Sequence, residues 1–282
     1  MRRLGLSLAL GALTSASLPA QDMRLTTATR QRGSEPDVSV DVAFGVGRLQ
    51  VKPGPEDALY RARLLYDAEV FQPIMRYDAA ARRVRLGIEG LNNRGNLDYH
   101  DRPEQRLDLE LSPLVPTALE LHYGAGAADI ELGGLSLTRV DVRAGAAESA
   151  IRFSKPNRVA CDALTFEVGA INLVTEGLGN ARCRRIDLKG AAGDITLDFT
   201  GAWPENSTTD VDVKVGLGSV TLRLPETVGV AVDLDRVLAS FDRSGLRKRG
   251  NRYYSANYDT ASVKLDFKVQ TAMGSVDIVW VR

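Results

Sequence analysis

Cysteine and histidine are scarce in this 282-residue chain, two of each, and aromatic residues make up only 6%. Two cysteines and two histidines cannot assemble the usual four-ligand zinc site without carboxylates, nor a cluster held by four thiolates. No metal or cofactor is therefore expected. Charge of one sign is missing too, since 36 Lys and Arg face 36 Asp and Glu for a formal net charge of zero. Without a cationic excess no long-range field gathers the protein on DNA or RNA, so nucleic acid is not an expected partner. The Gly-x-Ser-x-Gly turn that presents a hydrolase nucleophile is absent. So is any amphipathic helical pattern of ten or more residues, and the one long apolar run lies at the start of the chain.

That run reads as a processing signal. Arg2 and Arg3 precede the apolar segment Leu4–Leu13, and small residues follow up to Ala20. The segment is too short to cross a hydrocarbon core of about 30 Å, which needs about 20 apolar residues. A signal peptide over residues 1–20 is expected, with a retained membrane anchor as the alternative. Its removal leaves 34 basic and 36 acidic side chains, a net charge of −2. No transmembrane segment is expected in the mature chain, and export places it where a cysteine pair persists as a disulfide.

Residues 21–37 are rich in Thr, Arg, Gln and Ser and poor in apolar residues, which predicts a flexible leader. From Val38 the pattern has period two: Val38, Val40, Val42 and Phe44 alternate with Ser39, Asp41 and Ala43, and a glycine turn leads to Leu49 and Val51. This is the pattern of half-buried strands. From about residue 107 one phrase recurs, an alternating run, a glycine-rich turn and a second alternating run. Copies begin at Leu119, Val140, Leu164, Ile186, Val211 and Leu265. The first apolar residue after each turn is Ile130, Ile151, Ile171, Ile195, Val220 and Val276, with separations of 21, 20, 24, 25 and 56 residues. The last gap is expected to hold more than one turn of the repeat and an insertion around residues 240–258.

The fold class expected is all-β. A copy of 20 to 25 residues is too small to close a core alone, so neighbours must stack and share their inward Leu, Ile and Val, as in a β-solenoid. An antiparallel sandwich of hairpins is the competing architecture, because glycine turns between alternating strands are its signature as well. Register kept over four consecutive copies favours the solenoid. Glycines at 124, 126, 145, 190, 193, 216 and 218 mark the places where the backbone turns sharply or takes positive φ. Cys161 and Cys183 each lie three residues before an equivalent apolar position, Leu164 and Ile186. Neighbouring strands are about 4.8 Å apart. That spacing is within the Cα separation of about 4.4 to 6.8 Å that a disulfide spans. A Cys161–Cys183 bridge is expected, the alternative being a reduced buried pair.

The segments Phe44–Gly54 (FGVGRLQVKPG), Leu59–Tyr66 (LYRARLLY) and Phe71–Tyr77 (FQPIMRY) resemble the N-terminal domain of bacterial toast-rack proteins. Leu109–Pro116 (LELSPLVP) and Leu121–Asp129 (LHYGAGAAD) resemble the start of the LiaF-like, adhesin-like β domain that follows in the same proteins. The resemblance implies an N-terminal toast-rack-like β domain over 38–106 and a LiaF-like β-solenoid over 107–282. It implies an exported or membrane-associated protein whose relatives respond to cell-wall-active antibiotics, and it carries no catalytic residues. The chain departs from the LiaF arrangement in lacking the transmembrane helices that usually precede the β domain.

Candidate chemistry is sparse. His122 shares a strand face with Glu120, opposite Leu119, Leu121 and Tyr123, and is expected to point to solvent. His100 lies between Asp98 and Asp101 in a polar loop, where it is expected to be solvated. Asp129 and Asp194 follow glycine turns but lack the nine-residue period of a calcium β-roll. Outward residues show no evident column of acids of the kind a carbohydrate-active β-helix enzyme needs. The most pointed feature is the basic, tyrosine-bearing stretch 243–254, where Arg243, Arg247, Lys248, Arg249, Arg252, Tyr253 and Tyr254 form a candidate envelope-binding loop, the alternative being a solvated hairpin that breaks the repeat. The expected function is non-enzymatic, adhesion or scaffolding in the cell envelope, linked to envelope stress. Its partner would be an envelope protein or a wall polymer. A sensor or regulator that binds a membrane partner and a β-helix enzyme are the alternatives.

Overall fold

The computed structural model describes residues 22–91 and 104–282. The expected signal peptide and the Asp98–Asp101 loop with His100 lie outside the described residues. In chain order the strands are β1 (Met23–Gln31), β2 (Val38–Pro53), β3 (Ala58–Asp67), β4 (Phe71–Asp78), β5 (Arg83–Gly90), β6 (Arg106–Leu111), β7 (Thr117–Glu131), β8 (Leu137–Arg152), β9 (Cys161–Glu176), β10 (Cys183–Asp198), β11 (Thr208–Pro225), β12 (Gly229–Phe241), β13 (Leu246–Arg249), β14 (Arg252–Ser255) and β15 (Lys264–Val281). A four-residue helix, α1 (Leu178–Ala181), is the one helix among the described residues. The fold is all-β, and the strands join one continuous sheet.

Each copy of the repeat is a single long strand with a glycine bend at its middle, and both limbs pair in parallel with the next copy. On the first limb Leu119, Val140, Leu164, Ile186, Val211 and Phe267 stand in one column. All six are buried. Burying an aliphatic or aromatic side chain of this size contributes roughly 1.5–3 kcal/mol, and each rung shares that burial with its neighbours. Short return segments close the third side with Leu132, Leu135, Phe153, Leu178 and Phe199, all buried. Backbone pairing joins these segments, Leu132 N donating to Arg152 O, Phe153 N to Glu176 O and Phe199 N to Arg223 O. Buried Asn157 donates to Leu137 O and Val159 O and accepts from Leu137 N.

On the second limb the register departs from the expected one. Ile130 pairs with Ile151, and Ile195 with Val220 and then Val276. Ile151 pairs with Thr175, however, and Ile195 with Leu173, so the two sets are offset by two residues. Ile171 stands at the bend, opposite Ala147 and Gly193. The offset between paired strands is the same on both limbs, so the bends are equal in length and what shifts by two is the first apolar residue after the bend, which stays on the same face.

Two further differences concern the ends. The expected leader contains β1, which pairs antiparallel with β3 from Met23 to Gln31. Its Thr-rich sequence suits an extended edge strand, where backbone hydrogen bonds rather than apolar burial hold the chain. Arg30 also stacks on the Tyr77 ring, 3.7 Å from its centre. At the far end the strand order is β11, β15, β12, so the C-terminal strand enters the stack between two strands that precede it. The 56-residue gap therefore holds β12, displaced outward by one rung, and the β13–β14 hairpin that pairs with it.

The chain does not break at residue 106. The first limb of β2 pairs with β5 and the second with β6, which itself pairs antiparallel with β3. On its other edge β2 pairs with β7 along both limbs.

Cys161 and Cys183 begin β9 and β10, lie directly opposite each other and are joined through their sulfurs, with Cα atoms 4.2 Å apart. Closing a 22-residue loop of the unfolded chain is worth about 3 kcal/mol. Alkylation of the mature protein, denatured without reductant, should label no thiol, and Cys161→Ser should lower stability by about 2–4 kcal/mol. Two labelled thiols would count against the bridge.

The bend itself rests on backbone contact. Gly218 has φ +131°, and a Cβ there would sit 1.9 Å from the carbonyl oxygen of Gly193 one rung below. Gly45 faces open space. Gly218→Ala should cost about 1–3 kcal/mol. Gly45→Ala should stay within about 0.5 kcal/mol. Chemical denaturation of the two variants compares them directly.

Candidate binding surface

The basic stretch forms a hairpin at the end of the stack. Arg249 pairs with Arg252 across the Gly250-Asn251 turn, and Gly250 has φ +61°, the left-handed geometry that tight hairpin turns require. Strand β14 pairs antiparallel with β12 at Ala231–Asp233. Only the first limb of β12 is covered in this way.

The seven expected site residues divide into two groups. Tyr253 packs edge-on against Phe241, with ring centres 5.2 Å apart, and Tyr254 does the same against Tyr258 at 5.0 Å. Arg249 lies over the Tyr254 ring at 4.4 Å and pairs with Asp259 at 2.9 Å. Arg252 lies 3.7 Å from Asp266. These four residues hold the hairpin to the stack. Arg243, Arg247 and Lys248 are exposed and form no ion pair among the described residues. Of the expected loop, these three cations are left without an acidic partner among the described residues, Lys248 lying over the Tyr253 ring at 5.8 Å.

Tyr258, beyond the expected loop, fixes the base of the hairpin. Its hydroxyl donates to Asp266 Oδ1 at 2.8 Å. Burial, reinforced by the hydrogen bond and by the Asp266 charge, pushes its phenol up to about 12.

Elsewhere on the outer face the register builds columns of charge that the strands do not reveal singly. Asp41, Glu120, Asp141, Thr165, Asp187, Asp212, Lys268 and Asp233 stand in line. Beside them run His122, Arg143, Glu167, Lys189, Lys214, Gln270 and Asp235. The expectation of no evident column is thereby corrected, because alignment between rungs comes from backbone pairing. The acids in these columns are largely neutralised in place. Arg139 binds Asp141 at 2.8 Å, Arg185 binds Asp187 at 3.1 Å and Lys214 binds Asp212 at 3.0 Å. Glu167 lies 3.3 Å from Arg143 and 3.2 Å from Lys189, whose hydrogen bond comes first in holding its carboxyl below the usual range.

His122 is half-buried on this face, 3.8 Å from Glu120, and forms with Asp41 and Glu120 a group whose ligand atoms lie within 4.8 Å of one another. Arg85 stands 3.4 Å from Asp41 and Arg143 stands 3.4 Å from the His122 ring. Two guanidiniums thus already engage members of this group. Asp129 binds Arg152, and Asp194 accepts a hydrogen bond from Ser219 at 2.5 Å.

Residues 20–173, more than half of the chain, match the family model described as the N-terminal domain of toast rack. The chain belongs to the toast-rack family. Residues 177–278 of this toast-rack protein match a second family model, described as cell wall-active antibiotics response LiaF, C-terminal. The two models meet near the end of β9, well inside the stack. No functionally curated protein matches the chain. Among solved structures it is similar to a proposed cell adhesion protein from Clostridium sporogenes, 15% identical, covering 92% of this chain and 100% of that one with a TM-score of 0.48. A proposed adhesin from Bacteroides fragilis is 12% identical, with 91% and 97% covered and a TM-score of 0.38. One from Parabacteroides distasonis is 12% identical, with 92% and 98% covered and a TM-score of 0.36. No helix among the described residues of the toast-rack protein is long and apolar enough to cross a membrane.

The hairpin anchor has a pH signature. Because the phenol of Tyr258 is raised above its unfolded value of about 10, the stability it contributes is complete below that pH and is lost as pH rises through about 12. Ultraviolet titration of the folded protein should show one tyrosinate forming last, near pH 12, and Tyr258→Phe should delete that step. An unchanged titration curve would contradict the assignment.

Proposed function

We propose that this toast-rack protein is a non-enzymatic, exported component of the cell envelope that adheres to or scaffolds anionic envelope material as part of the response to cell-wall-active antibiotics. The match of residues 177–278 to the LiaF model supports the link to that response. One observation carries the binding role: the column cations Arg143, Lys189 and Lys214 are paired with acids, while Arg243, Arg247 and Lys248 are grouped without acidic partners on and beside one projecting hairpin. A rigid stack that presents a small group of free cations attracts phosphate or carboxylate groups on an extended surface by short-range electrostatics, without needing a net-charged molecule.

A non-enzymatic role is supported by the state of the acids. A β-helix lyase places carboxylates beside a basic catalytic group in an open groove. Here Asp141, Asp187, Asp212 and Glu167 are engaged by Arg or Lys on the same or neighbouring strand. Ion pairs of this exposed kind add little stability individually, but they leave the carboxylates poor ligands and poor bases.

Pelleting of the purified mature protein with isolated envelopes tests the reading. The wild-type protein should pellet, and the triple variant Arg243→Gln, Arg247→Gln, Lys248→Gln should bind at least about tenfold more weakly at low salt, on the basis of about 1 kcal/mol per cation near an anionic surface. Equal pelleting of the two proteins would remove the hairpin from the function.

A further inference from the structure

We propose that the β12 end of the stack docks onto an anionic phospholipid bilayer, with Val237, Leu238, Met273 and Leu217 entering the headgroup region and the hairpin cations facing lipid phosphate. The inference rests on the envelope reading and names the surface that the hairpin meets.

The first observation is a change along one line of the fold. One position of the bend holds Val46, Ala125, Ala146, Ala170 and Ala192 on successive rungs, and then Leu217, Met273 and Leu238 on the last three. These last residues are 51%, 48% and 69% exposed, and Val237 beside them is 77% exposed. The alanines on four consecutive rungs of the line show that the bend itself does not need bulk. Four large apolar groups on adjacent rungs form a contiguous patch of the kind that marks a binding surface.

Local charge is the second observation. Between residues 233 and 254 six basic side chains stand against Asp233, Asp235 and Asp242; Arg249 and Arg252 are paired with Asp259 and Asp266, which leaves Arg243, Arg247 and Lys248 as the cations beside the corner. Apolar tips next to a cationic collar match the layered chemistry of a bilayer surface, hydrocarbon beneath phosphate. A soluble wall polymer offers the anion but no apolar layer.

A third observation argues against a second copy as the occupant. The second limb of β12, from Leu234 to Phe241, has β15 on one side and, among the described residues, no strand on the other, an edge of the kind to which strands add. Arg236 guards that edge. It continues the inward column of Tyr123, Ala144, Val168, Gly190, Val215 and Thr271. An inward charge on an edge strand opposes edge-to-edge pairing. Its guanidinium folds back onto Ala239 O at 2.7 Å. What remains available is the apolar corner, which needs no strand pairing to be covered.

Flotation of the purified mature protein with vesicles is the test. Binding is expected to vesicles of phosphatidylcholine with roughly a third phosphatidylglycerol, and much less to phosphatidylcholine alone. The double variant Val237→Asp, Leu238→Asp changes two exposed residues and should leave the melting temperature unaltered while reducing vesicle binding at least tenfold, to about the level on neutral vesicles. Neutralising Arg243, Arg247 and Lys248 should weaken binding by about fivefold per cation. Failure to float with anionic vesicles, or flotation that survives the double aspartate variant, would overturn the proposal. Pelleting with envelopes by a protein that ignores vesicles would sink the lipid inference and leave the envelope reading standing. A dimer in light scattering that the double aspartate variant dissociates would assign the corner to a second copy instead.

Discussion

Every rung of this stack must bend at the same height, and at the bend the backbone of one rung touches the carbonyl of the rung below. A Cβ at Gly124 would lie 2.2 Å from the carbonyl oxygen of Gly45, which leaves no room for a side chain. That contact sets the phase of the structure. Once the bends are superposed, hydrogen bonding carries the register outward along both limbs. The core columns, the Cys161–Cys183 pairing and the alignment of outer charges then follow without further choice. The rule is relaxed at Ala147, Ile171 and Ala239, which occupy the column of Gly126, Gly193 and Gly274; the first two are buried.

The same register explains why a chain with 26% charged residues has so little directional charge. Rungs about 4.8 Å apart put side chains of neighbouring copies within reach of each other, so acids and bases meet across rungs as well as along strands. Glu167 between Arg143 and Lys189 is the clearest instance, bridging three consecutive rungs. Where the stack ends, this mutual neutralisation is incomplete. The hairpin has a partner strand on one side only, and Arg243, Arg247 and Lys248 project where no further rung supplies acids.

Much of this was legible in the amino-acid pattern, limb by limb. The first limb could be aligned because Leu119, Val140, Leu164 and Ile186 each start an unbroken alternation, and the cysteines sit at a fixed distance before two of them. The second limb could not, since an offset of two residues between Ile151 and Ile195 leaves the apolar pattern unchanged. Strand β1 was hidden for a different reason, as an edge strand is held by its backbone and needs few apolar residues. The hairpin was visible as a run of charge, but the separation of Arg249 from Arg247 was not. It depends on Asp259 and Tyr254, brought together by the fold. Charge columns were invisible for the same reason, being a property of pairing rather than of any one strand.

Insertion of the C-terminal strand has a consequence for where binding chemistry can reside. Strand β15 matches β11 along both limbs, from Lys264 to Val281, and so competes successfully for the place beside it. The shorter β12 is left as the terminal rung, paired with β15 only from Gly229 to Phe241. The chain leaves β12 in mid-sequence, and the segment that follows is free to double back as a hairpin before returning to form β15. A stack that ended on its own C-terminal strand would offer only a chain terminus at that position. Here the final rung carries a folded projection, anchored by Tyr258 on Asp266 and by Tyr253 on Phe241, next to an apolar corner. Rigid attachment of the cations to that corner limits the entropy lost when a surface is engaged, which is the physical advantage of building the site on the end of a solenoid rather than on a free tail.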